Sequence, residues 1–207
     1  LKYKGIFILQ AHGDGAVSRL VADVTSDGDI RGTAGFDAEK LATLLAEKPE
    51  PSAADLLGRG YLAFTVDQGE FMERYQGIVE LKESLLDSIH HYFDQSEQIW
   101  TSIRMATRKD ADGKWRVGAI MLQHTPDHSN IPQDNKPVDE NWNRGKILLG
   151  TCTDDELLDS KLKDETLLYR LFHEENVRVY DPHPVTKGCR CTPEKLKDVL
   201  SMLSEDD

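Results

Sequence analysis

Cysteine is scarce in this chain, with three in 207 residues, and the three are unevenly spaced. That excludes the disulfide framework of a small secreted domain, and no signal-peptide pattern opens the chain, so the composition reads as that of a cytoplasmic protein. Long apolar runs are also missing. None approaches the roughly 18 residues that a membrane span requires. Positive charge is in short supply: 25 Lys and Arg face 37 Asp and Glu, a formal charge of −12. The few cations are not gathered on one face, which argues against a nucleic-acid partner. What remains is a soluble globular chain with 30% charged and 39% hydrophobic residues, long enough for one main domain and a smaller module.

Strand patterns dominate the first part. Lys4 to Gln10, Val17 to Val24 and Ile30 to Phe36 are joined by the Gly13-Asp14-Gly15 and Asp27-Gly28 turns, which predicts a three-stranded meander. Gly13-Asp14-Gly15 is not a dinucleotide loop: Ser18 stands where the third glycine would be, and a strand follows. Helical spacing of Leu41, Leu44 and Leu45 ends at Pro49, and Ser52 with Asp55 forms a capping-box pattern closed by Gly58. Tyr61 to Asp67, with Leu62, Phe64 and Val66 on one face, and Tyr75 to Leu81 return to strand. Ser84 caps a helix carrying Leu85, Ile89 and Phe93 that is expected to lie across a sheet. Ile99 to Arg108 and Lys114 to Gln123 form a last hairpin. Hairpins with helices between them, without βαβ alternation, predict an α+β fold with largely antiparallel sheets.

From Thr125 the composition becomes polar and proline-bearing, placing the end of this domain near residue 131. Residues 132–188 read as a helical linker with little apolar surface. Thr153 with Glu156 forms a capping box, Asp164 is in position to cap the next helix, and Leu167, Leu168, Leu171 and Phe172 make the strongest stripe. Nine acids against five bases lie between Asp134 and Glu165, so the segment depends on docking and is the part most easily released. Val177 to Tyr180 could add a short strand. The segment 189–207 then opens with Cys189-Arg190-Cys191, followed by Thr192-Pro193 as a helix start and a stripe of Leu196, Val199, Leu200 and Leu203.

The chemistry concentrates in that Cys-x-Cys. Two thiols one residue apart can bind one metal ion, close a strained and reducible disulfide ring, or do neither. Their place at a helix mouth beside Lys187 and Arg190 favours the thiolate. Zinc takes four ligands, and only these two are convincing. His183 sits between prolines, Pro126 interrupts His124 and His128, His173-Glu174-Glu175-Asn176 lacks a second histidine, and His90-His91 reads as one inner and one outer residue. Cys152 reads as a buried small hydrophobe. No carboxylate pair and no nucleophile elbow points to catalysis. The chain opens at Leu1 directly on strand sequence and ends in Ser204-Glu205-Asp206-Asp207, which reads as a piece of a longer protein.

Leu168-Tyr169-Arg170-Leu171-Phe172-His173-Glu174-Glu175-Asn176-Val177-Arg178-Val179-Tyr180, followed by Gly188-Cys189-Arg190-Cys191, closely resembles the heat shock protein 33 family of redox-regulated bacterial chaperones. Gly13-Asp14-Gly15, Tyr75 to Val79, Tyr92-Phe93 with Ser96-Glu97-Gln98, and Gly118 to Pro126 agree in the same order, so the resemblance runs through nearly the whole chain. It implies a cytoplasmic, ATP-independent holdase, not an enzyme, dimeric when active, whose partners are unfolding client proteins. It also implies one zinc ion held by a Cys-x-Cys and a later Cys-x-x-Cys, with Cys189 and Cys191 as the first pair and as redox-active disulfide formers. Oxidation then expels zinc, unfolds the small zinc domain and frees the linker, where Leu167, Leu168, Leu171 and Phe172 are nominated for client contact. Two departures stand out: the second cysteine pair and the segment preceding the first strand are absent from this sequence, and the latter is expected to leave a sheet edge either bare or filled by a partner chain. A thiol oxidoreductase and a purely structural zinc module use the same cysteines; the first lacks a thioredoxin-like βαβ context.

Overall fold

The fold is that of a computed structural model, which describes residues 5–68, 74–124 and 140–189 and positions 192, 193, 197 and 201. The chain divides into two compact units, Leu1–Leu81 with His183–Asp207, and Lys82–Pro182. The expected boundary near residue 131 lies outside the described residues.

In the first unit, β1 (Ile6–Gly13), β2 (Val17–Thr25) and β3 (Asp29–Phe36) form the expected antiparallel meander. Gly28 supplies the turn between β2 and β3 with φ of 91°, a left-handed conformation that a side chain would oppose. Two helices follow. Asp37 caps α1 (Ala38–Glu47), and the Ser52–Asp55 capping box starts α2 (Ala53–Leu57), which Gly58 ends at φ 67°. The chain then returns as β4 (Gly60–Asp67) to the far side of β1, and β5 (Tyr75–Glu80) pairs outside it. A two-residue strand, β8 (Thr186–Lys187), lies parallel to β3 at the other edge, so the order is β5-β4-β1-β2-β3-β8.

β4 differs from expectation in one respect. Ala63 and Thr65 are as buried as Leu62 and Phe64, so this inner strand is covered on both faces. Leu57 from α2 completes that core. The Gly13-Asp14-Gly15 turn is where α2 and the sheet close on each other. The Asp14 N–H donates to Arg59 O at 3.0 Å, Gly15 N–H to Leu57 O at 2.8 Å, and Arg59 N–H to Asp14 Oδ1 at 2.8 Å.

In the second unit, Ser84 caps α3 (Leu85–Tyr92), which runs into a π-helical turn at Phe93–Glu97 and ends at Gln98 in left-handed conformation. β6 (Thr101–Lys109) and β7 (Trp115–Gln123) form the expected hairpin, and α3 lies beside it, His90 Nε2 accepting from the Ile103 N–H at 3.2 Å. Three helices follow: α4 (Glu140–Gly150), α5 (Asp154–Leu158) and α6 (Asp164–Phe172), with a 3-10 turn at His173–Glu175. Thr153 and Glu156 form the expected capping box. Asp164 does not cap α6: Lys163 holds that position without a side-chain bond, and Asp164 is the first helical residue, where its charge still faces the positive helix end.

Val177 to Tyr180 is not a strand. These residues lack regular structure, and Tyr180 is among the most exposed side chains. The strand forms six residues later, because pairing is decided by the β3 edge and not by local propensity. The helix stripe Leu196, Val199, Leu200 and Leu203 lies outside the described residues. Among the described residues no helix is long and apolar enough to cross a membrane.

Candidate functional site: the cysteine segment and the helices before it

Cys189 lies two residues beyond β8, after Gly188, and is exposed. Its position is fixed through its neighbours. The Thr186 N–H donates to Gly28 O at 2.9 Å, the Gly188 N–H to Ile30 O at 3.0 Å, and Thr186 Oγ1 to Asp29 Oδ1 at 3.0 Å. A Cβ on Gly188 would stand 2.6 Å from the Asp29 Cβ, so glycine is what lets the chain pass here. Upstream, His183 Nε2 and Ser26 O are 3.2 Å apart. His183 is thus a fastener of this segment to the sheet.

Beside Cys189 opens a groove of about 850 Å³ over one face of the sheet. Strand alternation builds it: Phe7 and Leu9 of β1, Ala22 and Val24 of β2 and Ile30 and Gly32 of β3 project to the same side, and Lys187, Gly188 and Cys189 form the rim. Asp23 and Arg31 meet on the opposite face with Arg31 Nε 2.6 Å from Asp23 Oδ2, which offsets the burial of that carboxylate.

Cys191 lies outside the described residues. Among the described residues no group of three or more His, Cys, Asp or Glu is placed to hold a metal. The donor type at Cys189 suits zinc, but one sulfur is not a site.

Of the four residues nominated for client contact, Leu167 and Leu171 are buried in a cluster with Cys152, and Phe172 packs against it together with Ile120, Leu157 and Leu162. Leu168 and Leu167 line a cleft of about 420 Å³ between β7 and the helices α5 and α6. These side chains seal the helices rather than presenting an open surface. Cys152 is buried, as expected, and burial, with the Glu156 charge adding to it, raises its thiol pKa. It is thereby kept from reacting as a thiolate.

Polar ties hold the same helices. Arg144 grips Glu175 with two bonds, 2.6 and 2.9 Å, while Arg104 and Arg108 reach Asp154 and Asp155 at 2.8 and 2.7 Å. All are exposed, so each is worth little. Glu156 is held below its ordinary pKa of 4.5, first by the Thr153 N–H and then by the Thr153 hydroxyl. A depressed folded value means the stabilisation is present above 4.5 and lost as pH falls through the lower folded value. Acid is therefore expected to loosen α5. In an NMR titration of Thr153→Ala, which retains the backbone donor, the Glu156 pKa should move part of the way back toward 4.5. An unchanged pKa would refute the hydroxyl's share.

Sequence reasoning missed the groove, whose members come from three strands. The alternation was readable, but the side that stays open depends on the whole sheet.

The Hsp33 protein family model matches residues 1–207. The chain is 36% identical over 211 residues to a 33 kDa chaperonin of Caulobacter vibrioides, covering all of this chain and 68% of that protein. It is 37% identical over 208 residues to one of Pseudomonas fluorescens, covering all of this chain and 64% of the relative. The crystal structure of a 33 kDa chaperonin, a heat shock protein 33 homologue from Thermotoga maritima, superposes with a TM-score of 0.75 at 24% identity, over all of this chain and 67% of that one. The structural likeness agrees with the α+β fold of antiparallel sheets and helices, and the relatives carry the names of chaperones, not of enzymes. With the family model matched from end to end, the chain belongs to the Hsp33 family.

Proposed function

We propose that this chain is the larger part of a redox-regulated, ATP-independent holdase that binds unfolding proteins under oxidative stress in the cytoplasm. Its family is one of chaperones. The observation that carries the redox reading is the seat of Cys189: an exposed thiol just past a two-residue strand, on the rim of an apolar groove. A change of bonding at this sulfur acts on a segment held by few contacts, and moving that segment changes access to apolar surface.

In this reading residues 1–131 are the chaperone body, 132–188 the releasable linker, and 189–207 the start of the redox segment. Cys189 and Cys191 are two of four zinc ligands, the other two lying outside this chain. Zinc bound there would hold the sulfurs as thiolates and make local folding depend on the metal. A peroxide oxidises one thiolate to sulfenic acid as its O–O bond breaks, the other oxygen leaving as hydroxide that solvent protonates to water. The second thiolate attacks that sulfur, closes the disulfide and displaces hydroxide. The linker helices then open, and Leu167, Leu168, Leu171 and Phe172 join the apolar surface offered to clients. The active form is a homodimer, with exchange of segments as a route to it.

The test is zinc content, thiol count and aggregation suppression of the full-length protein before and after peroxide. Loss of one zinc and four thiols, with suppression appearing only afterwards, is the expected result. Equal suppression in both states would remove the switch. The buried Cys152 should keep its thiol for as long as Leu167 and Leu171 cover it.

A further inference from the structure

We propose that the outer edge of β3 is a strand-addition site, taking an extended apolar segment of an unfolding protein where β8 now lies. This rests on the holdase reading and specifies how a held chain is gripped. The edge already receives an extended chain, since β8 pairs with it at Asp29 and Ile30. That pairing is short. Beyond Ile30 no described strand continues the ladder, although β3 runs on to Phe36.

The backbone there is oriented for more. Ile30 turns its carbonyl outward to the Gly188 N–H. Strand alternation turns the backbone groups of Gly32 and Ala34 the same way, and both residues are exposed. Edge strands are usually blunted by lysine, proline or a covering element. The outward positions here are Ile30, Gly32 and Ala34, and the Arg31 side chain is turned across to Asp23. The bonds securing β8 are exposed and few, so an incoming strand that makes more of them can displace it.

Specificity follows from what adjoins the edge. An added strand would hang alternate side chains on the side of Ile30, Gly32 and Ala34, where the 850 Å³ groove opens between Phe7, Leu9 and Val24. The small residues on β3 leave room for them. Main-chain bonds grip any sequence, while the groove selects apolar side chains, the combination that an unfolding protein presents and a folded one conceals. The groove continues directly from the β3–β8 pairing, because Lys187, Gly188 and Cys189 form its rim. Displacing β8 therefore lengthens the edge and opens the groove together.

Hydrogen exchange on the full-length protein tests this, with reduced, carboxymethylated α-lactalbumin as a permanently unfolded probe. In the oxidised protein carrying the probe, the Gly32 and Ala34 amides should exchange at least about tenfold more slowly than without it. Retention of the probe with unchanged exchange at both amides overturns strand addition and leaves the holdase reading standing. Failure to retain the probe overturns both. Ala34→Pro removes an outward N–H that the β2 ladder does not use, as edge strands permit, and should weaken retention, whereas Ala34→Val keeps the N–H and should retain the probe. Equal retention by the two variants also overturns the site.

Discussion

Leu171→Ala is expected to destabilise the second unit by about 2–5 kcal/mol, the range for removing a buried leucine without full collapse of the cavity. Leu171 is 7% exposed and, with Leu167 of the same helix, belongs to the cluster that joins α6 to Cys152. Domains of this size have a total stability of only about 5–15 kcal/mol, so the loss is a large share of what keeps α4 to α6 docked. Urea unfolding followed through Trp142 and Trp100 should show the lower midpoint, and dye binding should report new apolar surface in the reduced state. Leu171→Met, close in volume, should cost less than about 1.5 kcal/mol. An alanine variant with an unchanged midpoint would show that the cluster does not hold the helices. If release of these helices is the activating event, the alanine variant should also suppress aggregation without oxidation.

Gly13→Ala should be severe for a different reason. A Cβ there would stand 1.9 Å from the Leu57 carbonyl oxygen and 2.8 Å from its carbon, all backbone. No rotamer change relieves such a clash. The α2–β4 corner would have to move, breaking the Gly15–Leu57 and Arg59–Asp14 bonds with it. A loss of about 3 kcal/mol or more is expected, at the upper end for overpacking. Gly150, with nothing within 4 Å, is the control. At that position in α4 alanine should be neutral or stabilising by up to about 1 kcal/mol. A thermal unfolding comparison of the two variants decides it: equal midpoints would mean that the turn tolerates a side chain.

The contrast between these glycines shows where sequence reading reaches and where it stops. Asp27-Gly28 was readable as a hairpin turn because the requirement is local: a left-handed residue between two alternating segments. Ser52, Ser84 and Thr153 were readable as caps, each serving an amide three residues away. Gly13 and Gly15 were readable as a turn, but their packing against Leu57 depends on residues more than forty positions later. β4 shows the same limit, since its place between β1 and β5 buries Ala63 and Thr65 against a pattern that suggested one apolar face. At the candidate site, the Cys-x-Cys and the stripe from Leu167 to Phe172 stood out by spacing. The groove and the true strand at Thr186 did not, because neither exists until distant strands are paired.

The seat of β8 also sets an order of events on the ribosome. Thr186 lies 157 residues after its partner Asp29. At synthesis rates of about 5–20 residues per second, the β3 edge stands open for roughly 8–30 s after it is made, while the whole second unit is still being translated. The chain thus passes through its own early life with the edge uncovered that β8 later closes, and the last piece of the first unit to arrive is the one that carries the cysteines.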